Sequence, residues 1–303
     1  MKANGAAGSD WQSFFAAAAL ALYLMRCYAH PVRRGTGLIC STLSAALWEA
    51  RHIMGAKKKH YQTIYENFGA PISKAHDCGK YCAPLNGGQP VCCDHEHAIP
   101  AASPPEWKVM KKRTDMWKRY KPKDAHAKKE VAEIEETCVA IVCNGAKYCE
   151  RDNRLLACRA FPFYPYFTKG GEFAGLAYYW TFEDRCWVIS NIEAVDKAYV
   201  KEFIEAYDTL TDVDEGEYLA FHEQSATMRR VFSRRNAPIP LIGLEGEYLQ
   251  VLPKSGGKIV PADPKKYPKF GPYRSRKAYK KAAKEAEEMY GPSEWGEMPP
   301  FSG

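Results

Sequence analysis

Residues 143–167 read CNGAKYCERDNRLLACRAFPFYPYF, three thiols within sixteen residues running directly into prolines and aromatics. A cysteine that stands alone is most simply a small buried hydrophobe. Thiols this crowded are hard to explain by packing, and they raise the question of what they hold.

A second bunch lies upstream. From Pro71 to Pro105 all periodicity is lost, and Gly, Pro, Asn and Cys dominate, which is loop composition. A loop of that length inside a compact domain needs something to order it. Within it, Cys78-x3-Cys82-x9-Cys92-Cys93 supplies four thiols, and Cys143-x5-Cys149-x8-Cys158 supplies three more. Seven soft donors in two bunches suit zinc or an iron–sulfur cluster, the partners that thiolates prefer. Coordination can also provide folding free energy that a Gly- and Pro-rich loop cannot gain by burial. No Cys-x2-Cys occurs, which disfavours zinc ribbons, ferredoxin runs and thioredoxin-type pairs. Cys78-x3-Cys82 lacks the third cysteine that a radical-SAM loop requires.

The doublet Cys92-Cys93 after spaced cysteines, then Cys-x5-Cys, then Cys158-Arg159-x-Phe161-Pro162, resembles the YkgJ-type cysteine-cluster family. That zinc- or iron-chelating family also takes in flagellin lysine N-methylase-like proteins. The resemblance covers roughly residues 75–190 and is most specific in its downstream half. The chain departs from the pattern in its wider first cysteines, in Arg154-Leu155 where the family has Arg-Pro, and in a slightly short last spacing. The resemblance implies Cys78, Cys82, Cys92, Cys93, Cys149 and Cys158 as ligands, with Cys143 beside them. It implies a site more readily than an activity.

Arg159 follows the last thiol, where a guanidinium would offset thiolate charge and donate to sulfur. Phe161, Phe163, Tyr164 and Tyr166 alternate around Pro162 and Pro165 and are expected to wall the site from water.

Composition bounds the rest. A chain of 303 residues, 46% hydrophobic, can bury a sizeable core as one large domain or two smaller ones. Phe14 to Met25 is about half of what a spanning helix needs, and Arg26 closes it. Asp10 in the leader and the lack of an Ala-x-Ala cleavage site after the apolar run argue against a signal peptide, so a cytoplasmic protein without membrane attachment is expected. Eleven cysteines, an odd number, are too sparse for a disulfide scaffold. The net charge of +7 collects in Lys108–Lys129 and Lys254–Lys284.

Four segments are expected: an N-terminal helical part (1–70), the cysteine module (71–192), a helix and strand part (193–252) and a basic Lys- and Pro-rich tail (253–303). Helices are read at 10–30, 37–54, 195–210, 216–235 and 275–289. Thr137–Val142, EFAGLAYYWTF, CWVISNI, PIPLIG and EYLQVL read as strands, with a hairpin turn at Gly170-Gly171. Lys108–Lys129 reads as a basic helix or solvated linker, and no internal repeat is present.

Plainer readings stand beside the sharper ones. Cys27, Cys40, Cys138 and Cys186 suit buried packing, yet Cys138 and Cys186 are also candidate ligands. His95 and His97 could complete a zinc site or simply be solvated. Glu183-Asp184 suits a strand-end turn better than paired acid–base carboxylates. The aromatics of AYYWTF suit a core better than base stacking, and the basic tail suits a solvated face better than nucleic acid. No phosphate loop, Ser-His-Asp order or His-Glu-x-x-His is present.

The expected fold is α+β: an irregular cysteine module with short antiparallel strands, packed with flanking helices. Two functions stay open. One is an iron–sulfur protein performing redox or methyl-transfer chemistry on a protein lysine, by resemblance to the methylases. The other is a structural zinc module that docks a protein or RNA through its basic segments. Substrate and oligomeric state are left open by the sequence.

Overall fold

The hairpin turn at Gly170-Gly171 begins the largest sheet in the computed structural model, which describes residues 55–94 and 99–291. β4 (Phe163–Phe167), β5 (Phe173–Tyr178), β6 (Ile239–Ile242), β7 (Tyr248–Val251) and β8 (Ile259–Pro261) form an antiparallel sheet in that order. Gly175 in β5 has φ +135°, and a Cβ there would collide with the Ile242 carbonyl of β6. Glycine alone lets the two strands approach at this point.

β4 is an edge strand, where Pro165 can lack an N–H without breaking the ladder. The edge is covered by side chains from a helix. Phe167 N–H donates to Ser225 Oγ at 3.0 Å, and the Phe167 carbonyl accepts from Arg229 at 2.6 Å. Those bonds occupy the edge at its last residue, where an exposed strand would otherwise offer free groups.

The helices laid on this sheet follow the apolar period. In α6 (Lys197–Val213), Tyr199, Phe203, Tyr207 and Leu210 recur every three to four residues and are all buried. Asp214 separates α6 from α7 (Glu215–Arg235). Its carboxylate caps α7 by accepting from Glu217 N–H at 3.2 Å and also holds Ala56 N–H at 2.8 Å. α7 stops at Asn236, whose left-handed φ of +52° terminates helices.

A smaller sheet, β1 (Ala101–Ala102), β3 (Val139–Val142) and β2 (Lys118–Arg119), precedes the large one. The basic stretch 108–129 therefore resolves into the end of α3 (Pro104–Arg113), β2 and the start of α4 (Ala125–Glu135). A satellite core of Ile99, Ala101, Val131, Ile134 and Ala140 lies beneath it.

The expected α+β class and antiparallel strands are present, and the helices read at 195–210 and 216–235 form close to those limits. The readings at 10–30 and 37–54 lie outside the described residues. CWVISNI is not a strand: it folds as two 3-10 turns, Val188–Ser190 and Ile192–Ala194. Its apolar residues Trp187, Val188, Ile189 and Ile192 are all buried without alternation, and the Asn191 amide donates back to the Trp187 carbonyl at 2.8 Å, bending the chain.

The segment read as a tail is part of the main core through residue 291. β8 pairs with β7, and α8 (Arg276–Tyr290) follows. Tyr267, Tyr273 and Tyr279 are buried, and their hydroxyls donate to the Leu249, Arg185 and Tyr81 carbonyls at 2.6, 3.0 and 2.9 Å. Lysine-rich composition masked these three anchors. At the other end, α1 (Lys58–Asn67) buries Tyr61, Ile64 and Tyr65 in the same core. No helix among the described residues is long and apolar enough to cross a membrane.

Candidate metal centre

The first cysteine bunch sits on one turn of helix, α2 (Gly79–Cys82), and on a 3-10 turn at Val91–Cys93. The loop between them is pinned by side-chain amides. Asn86 Nδ2 donates to the Gln89 carbonyl at 3.0 Å and to Asp94 Oδ2 at 3.1 Å, while Gln89 Nε2 donates to the Cys93 carbonyl at 2.6 Å. Cys92 Sγ and Cys93 Sγ lie 3.9 Å apart.

The second bunch is carried by β3, two 3-10 turns and the short α5 (Leu156–Ala160). Buried polar groups set where α5 begins. Leu156 N–H donates to Glu106 Oε1 at 3.0 Å and to the Tyr65 hydroxyl at 2.9 Å, and that hydroxyl donates to Glu106 Oε1 at 2.5 Å. The turn before it is held by Trp117 Nε1 on the Asn153 carbonyl at 2.8 Å and by Thr114 Oγ1 on Glu150 Oε2 at 2.6 Å. Tyr65, Glu106 and Trp117 belong to elements far away in sequence, and no local pattern marks them as supports.

The two bunches of expected thiols lie within electrostatic reach of each other, and Cys93 is the thiol common to both. It lies within electrostatic reach of Cys82 and Cys92 on one side and of Cys143, Cys149 and Cys158 on the other. Cys78 neighbours Cys82 and Cys92. Burial pushes the Cys78 thiol up to about 11 and the Cys82 thiol up to about 12, and raises Cys143, Cys149 and Cys158 as well. Cys93 goes the other way: the hydrogen bond it shares with Cys92, and the nearby Arg154 and Arg151, favour its thiolate. Cys92 is raised, by that shared bond and by burial.

Among the described residues, no group of three or more His, Cys, Asp or Glu side chains stands as it would have to in order to hold a metal ion. The donor set nevertheless fits a thiolate-held metal in its chemistry. Soft donors are gathered with guanidinium groups beside them, and burial opposes their ionisation unless a cation compensates. Arg154, and Arg151 behind it, supply positive charge next to Cys78, Cys93 and Cys149.

Arg159 does not take the role expected of it. It is buried and donates to the Phe68, Asp152 and Arg154 carbonyls, with its guanidinium 4.7 Å from the Tyr65 ring centre. Cys158 and Arg159 are consecutive on α5, and successive helical side chains point about 100° apart. The arginine beside the last thiol therefore fastens α1 and the 151–154 turn to α5, and Arg154 faces the sulfurs instead.

The aromatic wall is also displaced from where the sequence suggested. Phe163, Tyr164 and Phe167 pack against Tyr199, Phe221 and Tyr218 of α6 and α7, as sheet core. Beside the first bunch, Tyr81 stacks on Trp187 with ring centres 4.3 Å apart, and His76 Nδ1 lies 3.1 Å from the Tyr81 hydroxyl. Tyr273 is the third aromatic of this group, near Cys78, Cys82 and Cys186. Buried Cys186 joins the first bunch, neighbouring Cys82 and Cys78, so an eighth thiol belongs to the group.

Cys138 packs on the satellite core and is disulfide-bonded, so it is not a free thiol available as a metal ligand. His95 and His97 lie outside the described residues. Glu183 accepts from the Tyr178 hydroxyl at 3.2 Å and pairs with Arg235 at 2.8 Å, while Asp184 pairs with Arg185 at 2.8 Å, so the two carboxylates serve separate structural contacts. Compared with family models, with curated proteins and with solved structures, the chain matches none.

Proposed function

We propose that this protein binds a metal through its gathered thiols, as an iron–sulfur cluster serving redox or methyl-transfer chemistry on a protein substrate. The observation that carries the reading is the meeting of two sequence-distant cysteine bunches around Cys93. Cys78, Cys82, Cys92, Cys93, Cys143, Cys149 and Cys158 would hold the metal, with Arg154 and Arg151 offsetting thiolate charge. Such a cluster supplies electron transfer when bound. The chain's own contribution is to gather the donors, shield one side with Tyr81 and Trp187, and favour ionisation at Cys93.

A second reading, structural zinc in a docking module, is favoured by one feature of the surface. Lys58 of α1 stands beside Lys112 and Lys108 of α3, close enough that their like charges lower its affinity for a proton. Cations crowded from two helices suit an acidic partner, protein or RNA.

Anaerobic purification followed by metal and acid-labile sulfide analysis tests both. Iron with sulfide, and absorbance near about 400 nm that dithionite bleaches, supports the first. Colourless protein with stoichiometric zinc supports the second, and protein that retains neither metal after reconstitution overturns both.

A further inference from the structure

A cavity of about 360 Å³ opens between α7 and the β6–β8 end of the large sheet, and none of the described thiols lines it. Its volume falls at the small end of the range for small-molecule sites, roughly 300–1,000 Å³. Its walls differ sharply in chemistry. Ile239, Val251 and Leu252 give an apolar floor, while Lys169, Arg229, Arg230 and Lys254 stand around it with no carboxylate among the lining residues.

Arg229 is the informative member. Its guanidinium donates to the Tyr166 hydroxyl at 3.1 Å and the Phe167 carbonyl at 2.6 Å, and it lies 5.5 Å from the Tyr166 ring centre. These partners are neutral oxygens and a ring face, so the group is fixed in place while, among the described residues, no carboxylate pairs with its charge. Arg230, by contrast, is paired with Glu223 at 2.6 Å. A rigid, half-buried guanidinium facing neutral acceptors is preorganised for an anion.

The β7–β8 loop adds donors. Ser255 Oγ bonds the Leu252 carbonyl at 2.7 Å and accepts from Lys258 N–H at 3.0 Å, holding the loop closed. Lys254, Gly256 and Gly257 have φ of +54°, +76° and +99°, with Ser255 between them in the ordinary range. The hand alternates over Lys254, Ser255 and Gly256, the backbone pattern from which anion-binding concavities are built, and Gly257 continues the loop at positive φ. Gly257 sits against the Arg229 stem, so the loop and the guanidinium border the same space.

We infer that this cavity is a binding site for a small amphipathic organic anion, its phosphate or carboxylate head held by Arg229, Lys169, Lys254 and the 254–257 loop, its apolar body on the Ile239–Val251 floor. The site is separate from the thiol cluster and stands whether or not the metal reading does.

Calorimetry on the full chain with 1-naphthyl phosphate, inorganic phosphate and 1-naphthol tests it. The result expected is saturable one-site binding of 1-naphthyl phosphate at least tenfold tighter than either fragment. The doubly reversed variant Lys169→Glu with Lys254→Glu then weakens 1-naphthyl phosphate at least tenfold and leaves 1-naphthol unchanged, and Ala226→Trp, which fills the cavity, weakens both. Both lysines lie outside the core, so the reversed variant reads the site even where Ala226→Trp does not fold. Binding of 1-naphthyl phosphate no tighter than that of phosphate, or equal binding to the reversed variant, overturns the proposal.

Discussion

The Tyr279 hydroxyl donates to the Tyr81 carbonyl at 2.9 Å, tying α8 to the helical turn that carries Cys82. Tyr81 in turn stacks on Trp187. The C-terminal helix therefore buttresses the candidate metal centre from behind. Tyr279→Ala should cost about 3–5 kcal/mol as a large aromatic lost from a packed site, and bound metal should fall with it. Tyr279→Phe keeps the ring and should cost only about 1–3 kcal/mol, for the acceptor it leaves unsatisfied. Urea denaturation and metal content, measured on both variants, separate the packing from the hydrogen bond.

Arg159 and Arg154 should fail in different ways. Arg159 is buried and satisfies three backbone carbonyls, so Arg159→Leu should destabilise the fold by roughly 3 kcal/mol. Arg154→Gln should barely move the unfolding midpoint, because its main electrostatic neighbours are the thiols. It should instead slow alkylation of Cys93 at a given pH. Equal destabilisation by the two substitutions would reverse this assignment.

The two arginines also show how far the sequence could be read. The nearness of the two cysteine bunches was foreshadowed by their crowding in the sequence, and α6, α7 and the hairpin at Gly171 were legible from period and turn chemistry. Which arginine faces sulfur depends on a 100° rotation along a five-residue helix that no spacing rule sees. Tyr65 and Glu106, which fix the start of α5, come from two helices brought together only by tertiary packing. The buried tyrosines of 253–291 were hidden because lysines dominate the composition around them, while burial is decided residue by residue.

Gly175 makes a sharper prediction than any other glycine. Its φ is +135° and a Cβ would strike the Ile242 carbonyl, so Gly175→Ala must both strain the backbone and part β5 from β6. The expected cost is at least about 1–3 kcal/mol from the backbone alone. A lowered melting temperature should accompany loss of amide protection at Leu176, the β5 residue that pairs with Ile242. Full stability in this variant would mean the two strands do not approach as described.

Metal-free and metal-loaded protein should respond to alkali in opposite senses. In the metal-free fold, Cys78 and Cys82 keep their protons up to about 11 and about 12, whereas in the unfolded chain they titrate near the ordinary 9.0. A raised folded value contributes stability that is intact below the unfolded value and is lost as pH climbs through the folded one. Metal-free protein should thus become easier to unfold between pH 9 and pH 11, while Cys93, whose thiolate is favoured, alkylates first at neutral pH. Metal binding requires thiolates and releases protons, so the loaded protein should hold its metal more tightly as pH rises and shed it in acid. Cys93→Ser should abolish this contrast, because Cys93 borders both bunches, whereas Cys149→Ser, at the rim of one bunch, should only reduce it. Unfolding midpoints at pH 7, 9 and 11, with and without reconstitution, decide the matter: parallel curves in the two states would show that the thiols gather for packing alone.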